Sequence, residues 1–142
     1  MRVEVAIRHG PIECDPEAIR ALVRTVLKGE GKDAELSIAL VGDEEMAGLN
    51  RRYLGREGVT DVLAFPYESD ERSLSGEIIV NAELAEREAA GRSHGPDDEL
   101  TLYVVHGLLH LLGYDDREAE SAARMRERER AILETAGRTV DF

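Results

Sequence analysis

Aromatic residues are scarce in this chain: two Phe, four Tyr and no Trp, 4% of 142 residues. Aliphatic side chains must therefore supply most of the packing. Cysteine is scarcer still. Cys14 stands alone, which excludes a disulfide or a multi-thiolate metal site within one chain and reads as a buried or inert thiol. No apolar run reaches the roughly 18 to 20 residues that a membrane span needs. The first residues, MRVEVAIRHG, alternate as a strand does and lack the apolar block and cleavage site of a signal peptide, so the expectation is a cytoplasmic protein. Basic residues are outnumbered, 18 against 30 acidic, for a net charge of −12. Such a surface opposes non-specific binding to nucleic acid, which rests on phosphate neutralisation; any nucleic-acid function needs its arginines gathered on one face. Internal repeats, low-complexity tracts and long linkers are also missing.

What is present suits a single domain spanning 1–142, with 42% hydrophobic residues to build one core. Alternation and β-branching predict strands at 3–7 (VEVAI), 35–41 (ELSIALV), 60–67 (TDVLAFPY) and 76–81 (GEIIVN). Pro66 places the end of the third at an edge or near a turn. A helix follows Asp15 as cap and Pro16 as first residue, with Ile19, Leu22, Val23, Val26 and Leu27 on one face and Gly29 or Gly31 to end it. A second spans 43–54, capped by Asp43. Others are expected at about 81–91, 97–112 and 117–136. The fold class is α+β: a mixed sheet of about four strands with packed helices. The helix holding Leu100, Tyr103, Val104, Val105, Leu108, Leu109 and Leu112 is apolar nearly all round, which marks it as central and buried. The last helix is charged except for a thin apolar stripe, a solvated face with local ion pairs.

That central helix carries His106 and His110 in the stretch HGLLHLLGYDD. Imidazoles in apolar surroundings need polar partners. Four residues apart on a helix they sit about 40° apart around the axis and roughly 6 Å along it, so both reach one ion. A catalytic zinc takes three protein ligands and keeps one position open. Gly113 suits the left-handed turn that ends a helix, after which Asp116 is placed to be the third ligand. Capping of the next helix is the competing role for these aspartates, since Asp115 and Glu118 have capping-box spacing. One division gives capping to Asp115 and ligation to Asp116.

The same stretch resembles the signature of the YbeY family, bacterial endoribonucleases of rRNA maturation. That signature reads His-Gly-x-Leu-His-Leu-x-Gly-Tyr-Asp-His, matched at His106, Gly107, Leu109, His110, Leu111, Gly113, Tyr114 and Asp115. The block LNRRYLGREGVTDVLAFPY at 49–67 is similar to a second family block, through Thr60, Asp61, Val62, Leu63, Phe65 and Pro66. GEIIVN resembles the family's Gly-Asp-Ile strand. The resemblance implies a site for one Zn2+ per chain, with other divalent transition metals possible, held by His106, His110 and Asp116. It also implies RNA, specifically rRNA, and ribosome-associated proteins as partners. Two departures stand out. Asp116 replaces the family's third metal-binding histidine, exchanging a neutral ligand for an anion and so making the centre less electrophilic. Leu54 stands where the family carries an important arginine.

A zinc ion with an open position suits phosphodiester or amide hydrolysis. Zinc proteases of this histidine spacing place a general-base glutamate after the first histidine, and here that residue is Gly107. For RNA cleavage, Arg51, Arg52 and Arg56 are the local candidates to hold phosphate, Arg52 and Arg56 foremost; a plain solvated loop is the competing role. Thr60 and Asp61 are expected at the cleft floor, Asp61 with a structural role as an equal alternative. His9 and His94 read as ordinary surface histidines. The expected function is a metal-dependent, single-strand-specific endoribonuclease acting in 16S rRNA 3′-end maturation and ribosome quality control. The alternative is a ribosome-associated binding module whose metal is structural.

Overall fold

The computed structural model describes residues 1–142. In chain order the elements are β1 (Arg2–Ile7), α1 (Pro16–Gly29), β2 (Asp33–Val41), α2 (Asp43–Leu54), β3 (Val62–Ser69), β4 (Ser73–Asn81), α3 (Ala82–Ala89), α4 (Pro96–Leu111) and α5 (Ala119–Thr135). The architecture is α+β, as the mixed pattern of periodicities predicted. The sheet order is β1-β2-β4-β3; β1, β2 and β4 run parallel, and β3 is the antiparallel edge. Pro66 is tolerated because its strand is an edge. The ladder shifts register between Pro66 and Glu68, and the strand then continues to Ser69, two residues beyond the predicted end.

Strand alternation splits the apolar side chains between two faces. Leu36, Ile38 and Leu40 of β2, with Ile78 and Val80 of β4, join the main core with α1, α4 and α5. Ala39, Val41, Leu63 and Ile79 point the other way and are covered by Met46 and Leu49 of α2. The main core is almost wholly aliphatic, with Tyr103 its one buried aromatic residue. α4 lies at its centre: eleven of its sixteen residues are buried. No helix is long and apolar enough to cross a membrane.

Asp15 caps α1, accepting from the backbone N–H groups of Glu17 and Ala18 at 3.1 and 3.3 Å. The predicted cap of α2 is one residue off. Gly42 is the cap, and Asp43 is the first helical residue, whose N–H donates to Glu83 of α3 at 2.9 Å. The freed Asp43 carboxylate binds Arg87 and Asn81 instead, tying α2 to α3. His94 also departs from expectation. It is 8% exposed, its Nε2 lies 2.5 Å from Glu99 Oε1, and its Nδ1 accepts the Asp141 N–H at 3.0 Å. Its local sequence does not mark this burial, because the second of its two partners, Asp141, is brought to it only by the tertiary fold. His9 is half-buried, its ring packed against Gly42 at the start of α2.

Candidate metal centre

α4 ends at Leu111, and Gly113 takes φ +98°, the left-handed turn its position predicted. The N–H groups of Gly113 and Tyr114 close on the carbonyls of His110 and Leu109 at 3.0 and 2.9 Å. The chain thus folds back and carries Asp116 over the two imidazoles. His106 Nε2 and His110 Nε2 are 3.1 Å apart, and Asp116 Oδ2 lies 3.5 Å from the first and 3.7 Å from the second. Two bonds of about 2.05 Å at a tetrahedral angle set their donor atoms about 3.35 Å apart. The observed triangle brackets that figure, and the point equidistant from its corners lies about 2.0 Å from each. Two imidazole nitrogens and a carboxylate oxygen are also a donor set that zinc accepts. The residues present therefore fit a small divalent ion.

The other nitrogen of the His106 ring is taken up as well. Its Nδ1 is 2.6 Å from Glu129 Oε2 of α5. Burial works against a charged His106, but the Glu129 carboxylate outweighs it, with Asp61 and Asp116 adding in the same direction, and the pKa is held above its ordinary value.

Beside His106 opens a cavity of about 470 Å³. Thr60 and Asp61 line it, as expected of them. Asp61 has local work there: its carboxylate accepts from the Val62 N–H at 2.8 Å and from the Thr60 hydroxyl at 3.3 Å. The arginines on the wall are Arg92 and Arg126. Arg92 is shared with Glu99 and Glu88 at 3.3 and 3.8 Å; Arg126 lies over the Phe142 ring at 5.1 Å and makes no ion pair.

The family model described as Endoribonuclease YbeY matches residues 4–137. The chain belongs to the YbeY family. It is similar to the Endoribonuclease YbeY of Salinispora tropica, 39% identical over 141 residues, covering 88% of this chain and 89% of that one. The Parafrankia and Halorhodospira halophila YbeY proteins are 38% and 36% identical, over 94% and 95% of this chain and 92% and 93% of theirs. The solution structure of TM1509 from Thermotoga maritima superposes with a TM-score of 0.64 over 96% of each chain at 22% identity, a likeness of fold.

Within this YbeY fold the structure brings together His106, His110 and Asp116 and adds Thr60 and Asp61 to the neighbouring cavity. Arg51, Arg52 and Arg56 are exposed, on the end of α2 and the segment after it, and do not line that cavity. Asp115 accepts from the Arg117 N–H at 2.9 Å, two residues short of α5. It shapes the turn and does not cap the helix. The residue at the cap is Glu118, whose N–H is met by Ser121 Oγ at 3.4 Å.

Glu129, Arg92 and Arg126 join the site without having been predicted. A signal for Glu129 was present. The buried stripe of α5 is Met125, Glu129, Ile132 and Leu133, so a carboxylate sits at a core-facing position of an amphipathic helix. The two arginines give no such signal, being ordinary charged residues on polar segments.

Proposed function

We propose that this protein is a metal-dependent, single-strand-specific endoribonuclease. Its substrate is rRNA and its work lies in maturation of the 16S rRNA 3′ end and in ribosome quality control, in the cytoplasm, with ribosome-associated proteins as partners. The observation that carries the chemistry is the convergence of the His106, His110 and Asp116 donor atoms beside an open cavity. The substrate class rests on the name shared by the relatives, Endoribonuclease YbeY.

A divalent ion, zinc by the donor set, would supply Lewis acidity toward a phosphodiester oxygen and water at this place. His106, His110 and Asp116 would hold it. Asp61 and Glu129 bring further negative charge to the site. Arg126 is the cationic group at the cavity free of a carboxylate partner, and so is suited to a phosphate; Arg92 can serve when a stronger anion draws it from Glu99. Arg52 and Arg56 would take phosphates further along the strand, since the segment they occupy leads to Thr60 and Asp61.

The geometry speaks against proteolysis. Gly107, where a zinc protease carries its general base, is buried, and a Cβ there would come within 2.8 Å of Ile78 and 2.9 Å of Val62. The second reading is a ribosome-associated binding module with a structural metal. A structural zinc site is closed by four protein ligands, whereas this cluster offers three.

The test pairs elemental analysis of the purified protein with cleavage of a defined RNA, single-stranded and duplex, by wild type and by His106→Ala. The reading requires about one metal ion per chain in the wild type, cleavage of the single strand alone, and loss of both metal and cleavage in the variant. Metal without cleavage selects the binding module. Cleavage undiminished in His106→Ala refutes the site.

A further inference from the structure

We infer that Glu129 is a positioning residue for the metal site, fixing the tautomer and the aim of His106; this rests on the reading of His106 as a ligand. Glu129 is 5% exposed in the apolar stripe of α5, with Met125 one turn before it and Leu133 one turn after. A carboxylate at such a position loses hydration that only a specific partner restores. Its one hydrogen-bond partner is His106 Nδ1, at 2.6 Å. An ionised carboxylate accepts only, so the proton of this bond belongs to Nδ1. Nε2 is thereby left with its lone pair free, and Nε2 is the nitrogen that faces His110 and Asp116.

The alternative is that Glu129 merely fastens α5 to α4. The two roles differ in what they predict. His106 Nδ1 and Nε2 take protons with comparable ease in free imidazole, so without Glu129 part of the population carries its proton on the nitrogen that must bind the ion. The ring also gains freedom about its side-chain torsions, because its side chain is 24% exposed and no other side chain holds Nδ1. A fastening role predicts a loss of metal-free stability instead. His110 has no equivalent carboxylate partner, so the device is confined to one of the two imidazoles.

The decisive variant is Glu129→Leu, which is close in volume and apolar like its neighbours on the stripe, so it keeps the fold. Zn2+ affinity is measured by competition with a chromophoric chelator, and His106 ring nitrogen shifts are read by NMR on the metal-free protein. Glu129→Leu is expected to bind Zn2+ about ten- to hundredfold more weakly. Its metal-free melting temperature should be unchanged or higher, and its His106 signals should move from the Nδ1–H form toward a tautomer mixture. Glu129→Gln, which still presents an acceptor oxygen, should recover most of the affinity. A Glu129→Leu protein that holds Zn2+ as tightly as wild type overturns this inference and leaves the metal-site reading standing. So does one whose lost affinity is matched by a lower metal-free melting temperature and unchanged His106 signals. Wild-type protein that binds no Zn2+ overturns the metal-site reading itself.

Discussion

Gly107 rests directly on Ile78: a Cβ added to the glycine would lie 2.8 Å from the isoleucine Cγ2, and 2.9 Å from Val62 Cγ2 on the neighbouring strand. The missing side chain lets α4 settle onto β3 and β4 at the level of His106, which faces away toward α5. Alanine here would gain about 1 kcal/mol of helix propensity over glycine. Against that stands overpacking between two β-branched side chains on paired strands, at about 1–3 kcal/mol. Gly107→Ala should therefore lower stability by about 1 kcal/mol net. Urea unfolding of the metal-free protein, with a reduced midpoint and an unchanged slope, is the measurement.

Removal of an imidazole should act on two observables together. His106→Ala and His110→Ala each delete one of the three converging donors. An ion present at about 100 times its dissociation constant contributes about 2.7 kcal/mol to the folded state. For a domain of this size that is roughly 10 °C in melting temperature. Either variant should melt that much below the metal-loaded wild type and no longer respond to added Zn2+. A zinc-dependent rise equal to the wild type's in either variant would show that the ion sits elsewhere.

Asp116 is the donor at which the chain parts from the family motif, and its side chain is 44% exposed against 24% and 33% for the two histidines. Asp116→Ala should weaken metal binding by at least about tenfold, since a ligand is lost rather than reoriented. Asp116→His restores an imidazole and should keep or tighten binding. Titration with Zn2+ against a chelator reads both. Affinities that both equal the wild type's would reduce Asp116 to a residue of the turn.

Much of this could be read from the chain because the signals were local. Gly113 ends α4 by a left-handed turn that few other residues adopt, and its spacing from His110 and Asp116 sets where the turn delivers the carboxylate. The periodicities of α1 and α4 gave their buried faces directly. What stayed hidden depends on contacts distant in sequence. The burial of His94 needs Glu99 and Asp141, the latter 47 residues away. The cap of α2 lies one residue earlier than expected: Asp43 is already helical, and its N–H is met by Glu83, 40 residues on. Arg92 and Arg126 reach the cavity from two different segments, so no stretch of sequence shows them as a pair.

The Asp43 carboxylate, bound by Arg87 and Asn81, has its own consequence for pH. Arg87 is its strongest partner and lowers its pKa below the ordinary value near 3.8; burial opposes that, and the Asn81 amide at 2.9 Å adds to it. The folded state therefore holds its proton less tightly than the unfolded chain does. Such a group contributes stability that is complete above the unfolded pKa and is lost as the pH falls through the lower folded value. Asp43→Asn cannot make the charged contact at any pH. Wild type should accordingly melt above the variant at pH 7, with the gap narrowing as the pH falls through the carboxylate range and on below the ordinary Asp value. Added salt should shrink the gap at neutral pH, because Asp43 and Arg87 are open to solvent. Thermal melts of the two proteins across this range check the sign: a gap that widens on acidification would assign the tie between α2 and α3 to some other pair.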